Sequence, residues 1–134
     1  MGQKVKEVID RALYGTPEIK PEEKNLFLST FLERIHIALT KKQVVHKGMY
    51  PEVVEIMKEK KNLHLYINGN LNYGNYSNYV QQASKSNIRF TIVTPKKQTP
   101  FGLVLADETQ AINRNNIFIQ DELYDLDMEE SINL

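Results

Sequence analysis

The sequence predicts an α/β (α+β) fold, a mixed four- to five-stranded sheet with packed helices in the order α-α-β-α-β-α-β-β. Three observations carry this reading. Apolar residues alternate through Ile35, Ile37 and Leu39, and again through Leu63, Leu65 and Ile67, with the two-residue period of a strand. Between these runs Tyr50, Val53, Val54, Ile56 and Met57 fall at helical spacing. The stretch 63–94 then reads as strand, Asn/Gly/Tyr-rich loop, short helix and strand, which is one complete βαβ unit.

Taken in order, Val5, Val8, Ile9, Ala12 and Leu13 predict an amphipathic helix over 3–13, with Gly15 placed to stop it. Thr16-Pro17-Glu18-Ile19-Lys20 reads as extended, because a residue before proline is pushed out of the helical region. Pro21 opens a short helix to about Ser29, with Glu22 and Glu23 at the positive end of its dipole and Leu26 and Phe27 buried. In the first strand Ile35, Ile37 and Leu39 share one face, and Arg34, His36 and Ala38 the other. A turn through Thr40-Lys41-Lys42-Gln43 leads to a helix over 51–60, which has proline at its start and lysines at its end. The second strand, 63–67, ends in the turn chemistry of Asn68-Gly69-Asn70.

Ser77 or Asn75 is placed to cap the next helix, which carries Tyr79, Val80 and Ala83 and ends near Asn87. Residues 88–94 form the third strand, 94–100 a loop and 102–106 a fourth strand. Residues 117–119 form a short edge strand or the start of a final segment. Strands joined through a helix are expected to be parallel, with right-handed crossovers. The last link is too short to cross over, so the final strand is expected to be antiparallel.

A chain of 134 residues suits a single domain, 1–134, with an N-terminal helix and an acidic tail over about 121–134. The absence of cysteine excludes disulfides, thiolate metal sites and cysteine nucleophiles. No apolar run approaches the roughly 20 residues that span a bilayer, and the N-terminus lacks the apolar core of a signal peptide. The expected location is cytoplasmic, with no membrane partner. The zero net charge conceals a polarity: residues 1–100 carry 16 basic and 9 acidic side chains, whereas 101–134 carry 1 and 8. The tail is read as a solvated acidic terminus, the alternative being a segment folded back on a basic face.

Tyr14-Gly15-Thr16-Pro17-Glu18-Ile19-Lys20-Pro21-Glu22-Glu23 is an unusual run, and so is Leu65-Tyr66-Ile67-Asn68-Gly69-Asn70-Leu71. Together with Phe90-Thr91-Ile92-Val93 and Gly102-Leu103-Val104-Leu105-Ala106, they strongly resemble the YueI-like family of small bacterial proteins of unknown function, from about Leu13 to Ile119. The resemblance implies a mixed sheet in the Bacillus-chorismate-mutase-like fold group. It implies no activity, so it carries over no functional residue. The element order is also similar to that of kink-turn RNA-binding ribosomal proteins. Where those have Gly-x-Asn-Glu, this chain has Gly48-Met49-Tyr50-Pro51-Glu52 and lacks the asparagine.

No catalytic, metal or cofactor signature is present. His36, His46 and His64 show no helical ligand spacing, and Glu18, Glu22 and Glu23 are read as helix-start carboxylates. In open α/β sheets, ligands bind beyond the carboxyl ends of parallel strands. That edge is formed by the loops leaving the second and third strands. The candidate ligand residues are therefore Asn68, Gly69, Asn70, Tyr73, Tyr76 and Ser77 with Thr94, Lys96, Lys97 and Thr99. The glycine spacing matches neither a Walker loop nor a dinucleotide fingerprint.

The expected function is a small binding module for an anionic or nucleotide-like ligand. RNA association through Lys41, Lys42, Lys47, Lys58, Lys60, Lys61, Lys96 and Lys97 is the alternative, disfavoured by a pI of about 6.8. Homo-oligomerisation through exposed sheet or tyrosines comes next. An enzyme is least expected, because no nucleophile–base pair is visible.

Overall fold

The structure, a computed structural model, describes residues 2–13 and 20–133, and side chains within 5–10 and 21–130. The elements are α1 (Gly2–Leu13), α2 (Lys20–Leu26), β1 (Ile35–Thr40), α3 (Lys41–Val45), α4 (Pro51–Glu59), β2 (Leu63–Asn68), α5 (Tyr73–Lys85), β3 (Arg89–Val93), β4 (Phe101–Asp107) and α6 (Glu122–Asn133). A 3-10 turn, Leu32–Arg34, leads into β1. Gly15 and residues 16–19 of the stretch read as extended lie outside the described residues, and Lys20, the last residue of that stretch, instead opens α2.

The four strands form one mixed sheet in the order β1-β4-β2-β3. The parallel pairing of β2 with β3 and the antiparallel direction of β4 match the expectation. The position of β4 does not follow from the sequence: it lies between β1 and β2 and pairs antiparallel with both. Its seven residues are all buried, which suits the unbroken apolar run from Phe101 to Ala106 that precedes Asp107.

Two cores lie on opposite faces of the sheet. One joins Ile37, Leu39, Leu65, Ile67, Leu103 and Leu105 to α4 and α5, and the other joins Ile35, Ala38, Val104 and Ala106 to Phe27, Leu28 and α1. Ile35 and Ile37 therefore face different cores, contrary to the alternation read from the sequence. The cause is a bulge. Ile35 pairs with Ala106 and Ile37 with Leu105, so β1 carries one extra residue, and that residue is His36.

Several local expectations are also corrected. The turn at 40–43 is the start of α3, where Gln43 Oε1 accepts the Thr40 amide at 2.9 Å in place of a turn bond. Helix α5 begins at Tyr73 behind Asn72, ahead of both Asn75 and Ser77. Asn87 follows its last turn at φ +57°, a left-handed conformation that asparagine tolerates. Near 117–119 the pairing is a single parallel bridge between Phe118 and Ala38. The acidic tail is helix α6, and it is docked: Asp127 is buried and accepts the Lys42 amide at 2.7 Å, while Lys42 Nζ lies 3.2 Å from Glu130.

A second register shift, between Leu39 and Thr40, sets Gly102 against α3. A Cβ there would stand 3.0 Å from Leu71 Cδ1 and Val44 Cγ2, and 3.1 Å from the Lys41 Cα. The side chains can give, but the Lys41 backbone cannot without moving α3. Gly102→Ala is expected to lower stability by about 1–3 kcal/mol in urea unfolding. Gly74→Ala is the control, since Gly74 lies in α5 with nothing within 4 Å of an added Cβ. That change is expected to raise stability by roughly 0.5 kcal/mol through helix propensity. Equal effects would remove the close approach as the reason for glycine at 102.

Candidate functional site

The carboxyl edge of β2 and β3 holds the residues expected to bind ligand, and the structure divides them. Asn68 is fully buried; its Nδ2 donates to the Phe101 carbonyl at 3.0 Å, and its Oδ1 accepts the Asn70 amide at 2.9 Å. Thr99 is buried and donates to the Leu26 carbonyl at 2.7 Å. Tyr76 lies in the core under α5. The Gly69 amide donates to the Val93 carbonyl at 2.8 Å, closing β2 onto β3. These four are engaged in holding the edge together. Ser77 is half-buried on α5. Asn70, Tyr73, Thr94, Lys96 and Lys97 are exposed, with Tyr73 edge-on to Tyr76. The Lys97 backbone is clipped on both sides by the Asn25 amide.

The opposite, amino edge of the parallel strands carries a more built-up site. A cleft of about 700 Å³ opens between α4, the start of β1, the end of β4 and the segment after it. His36 forms its floor. It is 7% exposed, and no hydrogen bond to its ring is formed among the described residues. The bulge explains how a strand histidine reaches this cleft, since an extra residue re-aims the side chain on its own strand.

Burial, Arg114 and Lys60 lower the His36 pKa against the opposing pull of Asp107. The neutral ring is thereby favoured, with one donor and one acceptor to offer. Asp107 Oδ1 is occupied by the Thr109 amide and hydroxyl and the Gln110 amide at 2.7–2.9 Å. Burial works against ionisation of Asp107, but these donors outweigh it and hold its pKa low. The rim has two signs: Glu52, Glu55 and Glu59 line it from α4, and Lys60, Lys61 and Arg114 from the flanking segments. Sequence reading missed this site because its residues come from three separate stretches, at 36, 52–62 and 107–114. The signal available was His36 itself, a polar residue inside an apolar run.

A smaller cleft, about 340 Å³, lies beside Tyr50, His46 and Asp121. The Tyr50 hydroxyl donates to Asp121 Oδ2, and Gln43 Nε2 reaches Asp121 Oδ1 at 2.9 Å. Burial, together with the Asp121 bond, pushes the Tyr50 pKa up, so the phenol stays protonated. Asp121 also caps α6, accepting the Tyr124 amide at 3.0 Å. These groups are engaged in docking the helix.

The lysines do not gather on one face. Lys60 and Lys61 line the His36 cleft, Lys47 the Tyr50 cleft, and Lys42 pairs with α6, while Lys96 and Lys97 stand at the far end of β3. Among the described residues, no helix is long and apolar enough to cross a membrane.

Comparison with known proteins agrees with the fold. Residues 2–118 match the family model "Protein of unknown function (DUF1694)", a span that ends before α6. The uncharacterized protein YueI of Bacillus subtilis (strain 168) is 42% identical over 117 residues, which is 87% of this chain and 88% of that protein. The crystal structure of the YueI protein from Bacillus subtilis superposes with a TM-score of 0.83 at 39% identity, covering 94% of this chain and 98% of that one.

Proposed function

Since the chain belongs to the DUF1694 family, whose function is unknown, we propose from its own geometry that it is a binding module for a small anionic ligand held over His36. The observation that carries this reading is a buried imidazole that lines an open cleft and has no hydrogen-bond partner among the described residues. The ring nitrogens of His36 are not among the buried unpaired side-chain atoms, so they open onto the cleft, where a ligand or ordered water can reach them. Arg114 and Lys60 supply the charge for an anionic group, and the Glu side chains of α4 set the opposite limit by repelling a ligand that is negative throughout. The reading takes the protein as cytoplasmic, which suits a sequence without cysteine.

A thermal-shift screen against nucleotides and phosphorylated metabolites at low salt tests it. A ligand at a hundred times its Kd adds about 2.7 kcal/mol of stability, a rise on the order of 5–10 °C. The rise is expected to vanish in the Arg114→Ala/Lys60→Ala double variant and to persist in Lys96→Ala/Lys97→Ala. The reverse pattern would move the ligand to the carboxyl edge of β2 and β3. A rise that follows neither pair, or no rise at all, would sink the reading.

A further inference from the structure

Glu108, the residue after the Asp107 of the cleft, takes part in a separate polar cluster on the β2–β3 side of the sheet. Parallel pairing sets His64 beside Arg89 and Tyr66 beside Thr91. His64 Nδ1 lies 2.8 Å from Glu108 Oε1, and His64 Nε2 lies 2.6 Å from Thr91 Oγ1. Arg89 Nη2 donates to the other carboxylate oxygen, Glu108 Oε2, at 2.8 Å. The Tyr66 ring lies 4.5 Å from the imidazole and fixes its plane. Thr91 and Arg89 are exposed, so a solute can reach the hydroxyl.

The direction of these bonds follows from the carboxylate. Hydrogen bonds from Arg89 and then His64 hold the Glu108 carboxyl below the usual range, so it is an acceptor only. The ring must then donate from Nδ1. In the neutral imidazole this leaves the Nε2 lone pair facing Thr91, and the threonine hydroxyl donates to it. Carboxylate on Nδ1 and hydroxyl on Nε2 is the order that activates oxygen nucleophiles on unrelated folds. Arg89 lies two residues from Thr91 on the same strand face, where it places positive charge near any bound carbonyl or leaving oxygen.

We propose that Thr91, His64 and Glu108 form a nucleophilic relay and that Thr91 accepts acyl groups from activated esters. Thr91 Oγ1 bonds to the acyl carbon as its proton passes to His64 Nε2. The carbon–oxygen bond to the leaving group then breaks; the leaving oxygen takes that proton, or it departs as an anion and the imidazolium releases the proton to solvent, so that Nε2 is free again in either case. Water, deprotonated by the same Nε2, attacks the acyl-threonine, releases the carboxylic acid and returns the proton to Thr91. Glu108 is a positioning residue that keeps the ring in the required tautomer.

The test uses the full chain and p-nitrophenyl acetate. Nitrophenolate release is followed by absorbance, and the tryptic peptide 90–96 by mass for an acetyl group on Thr91. Release is expected to fall at least 100-fold in Thr91→Val, to persist in Thr91→Ser, and to fall about 10²–10⁴-fold in His64→Gln. Glu108→Gln is expected to lower the rate and alter its pH profile, which a packing role alone would not do. Thr91→Val keeps the fold, because the position is exposed and valine suits a strand; an unchanged melting temperature checks this. Release from Thr91→Val at the parent rate, acetyl groups on lysines alone, or release no faster than from the unfolded chain would each overturn the relay.

Discussion

Gln43→Leu is expected to destabilise the protein by about 3 kcal/mol or more, as a fall in the urea midpoint. Gln43 is fully buried and uses both ends of its amide. Its Oε1 accepts the Thr40 amide at 2.9 Å; its Nε2 donates to the Ile119 carbonyl at 2.7 Å and to Asp121 Oδ1 at 2.9 Å. Leucine fills the volume but leaves a donor and two acceptors without this partner, and each such group costs about 1–3 kcal/mol when it stays buried. Partial hydration of Asp121 on the protein surface reduces the total. Tyr50→Phe is the comparison, because it removes only one bond to Asp121 and is expected to cost about 1–2 kcal/mol. If the two variants fell by the same amount, Gln43 would not be the junction joining β1, the 117–119 segment and α6.

Asn68→Leu is expected to cost about 2–3 kcal/mol, again read from the urea midpoint. The side chain bridges the end of β2 to the start of β4 through the Phe101 carbonyl and folds back on the Asn70 amide. Leucine satisfies neither. Asn68→Asp separates the two contacts, because it retains the acceptor for Asn70 and removes the donor to Phe101. At neutral pH it also places a carboxylate against a carbonyl oxygen, so its loss is expected to be greater at pH 7 than at pH 4. Here the variant's carboxyl pKa is raised by folding, and protonation restores a donor. A loss that does not change with pH would mean that Phe101 finds another donor.

Much of the fold was legible because the period of the apolar residues is local. Helices α4 and α5 and strands β2, β3 and β4 could be placed from spacing alone, and the direction of each strand followed from the length of its connection. Sheet order was not legible. Placing β4 between β1 and β2 depends on pairings across some 40 to 70 residues, and no short window of sequence records them. The bulge at His36 was hidden for a related reason. Ile35-His36-Ile37 has ordinary alternation, and only the partner strand shows that two residues oppose one.

The same two gaps displaced the site. Reading the turn chemistry of 68–70 as ligand chemistry overlooked that Asn68 supplies the fold with its own bonds. The relay of Thr91, His64 and Glu108 unites three strands or strand ends distant in sequence, so no motif spacing announced it.

The central position of β4 also bears on how the chain is made. Roughly 60 residues separate the end of β1 from the start of β4. At a synthesis rate of about 5–20 residues per second, β1 leaves the ribosome roughly 3–12 s before β4, the strand with which it pairs. Through that interval Ile35, Ile37 and Leu39 have no ladder to join, and β2 can pair only with β3. A nascent chain halted before residue 101 therefore offers two apolar strand edges to other chains. Assembly of the sheet becomes a late, concerted event, set by the arrival of one seven-residue segment.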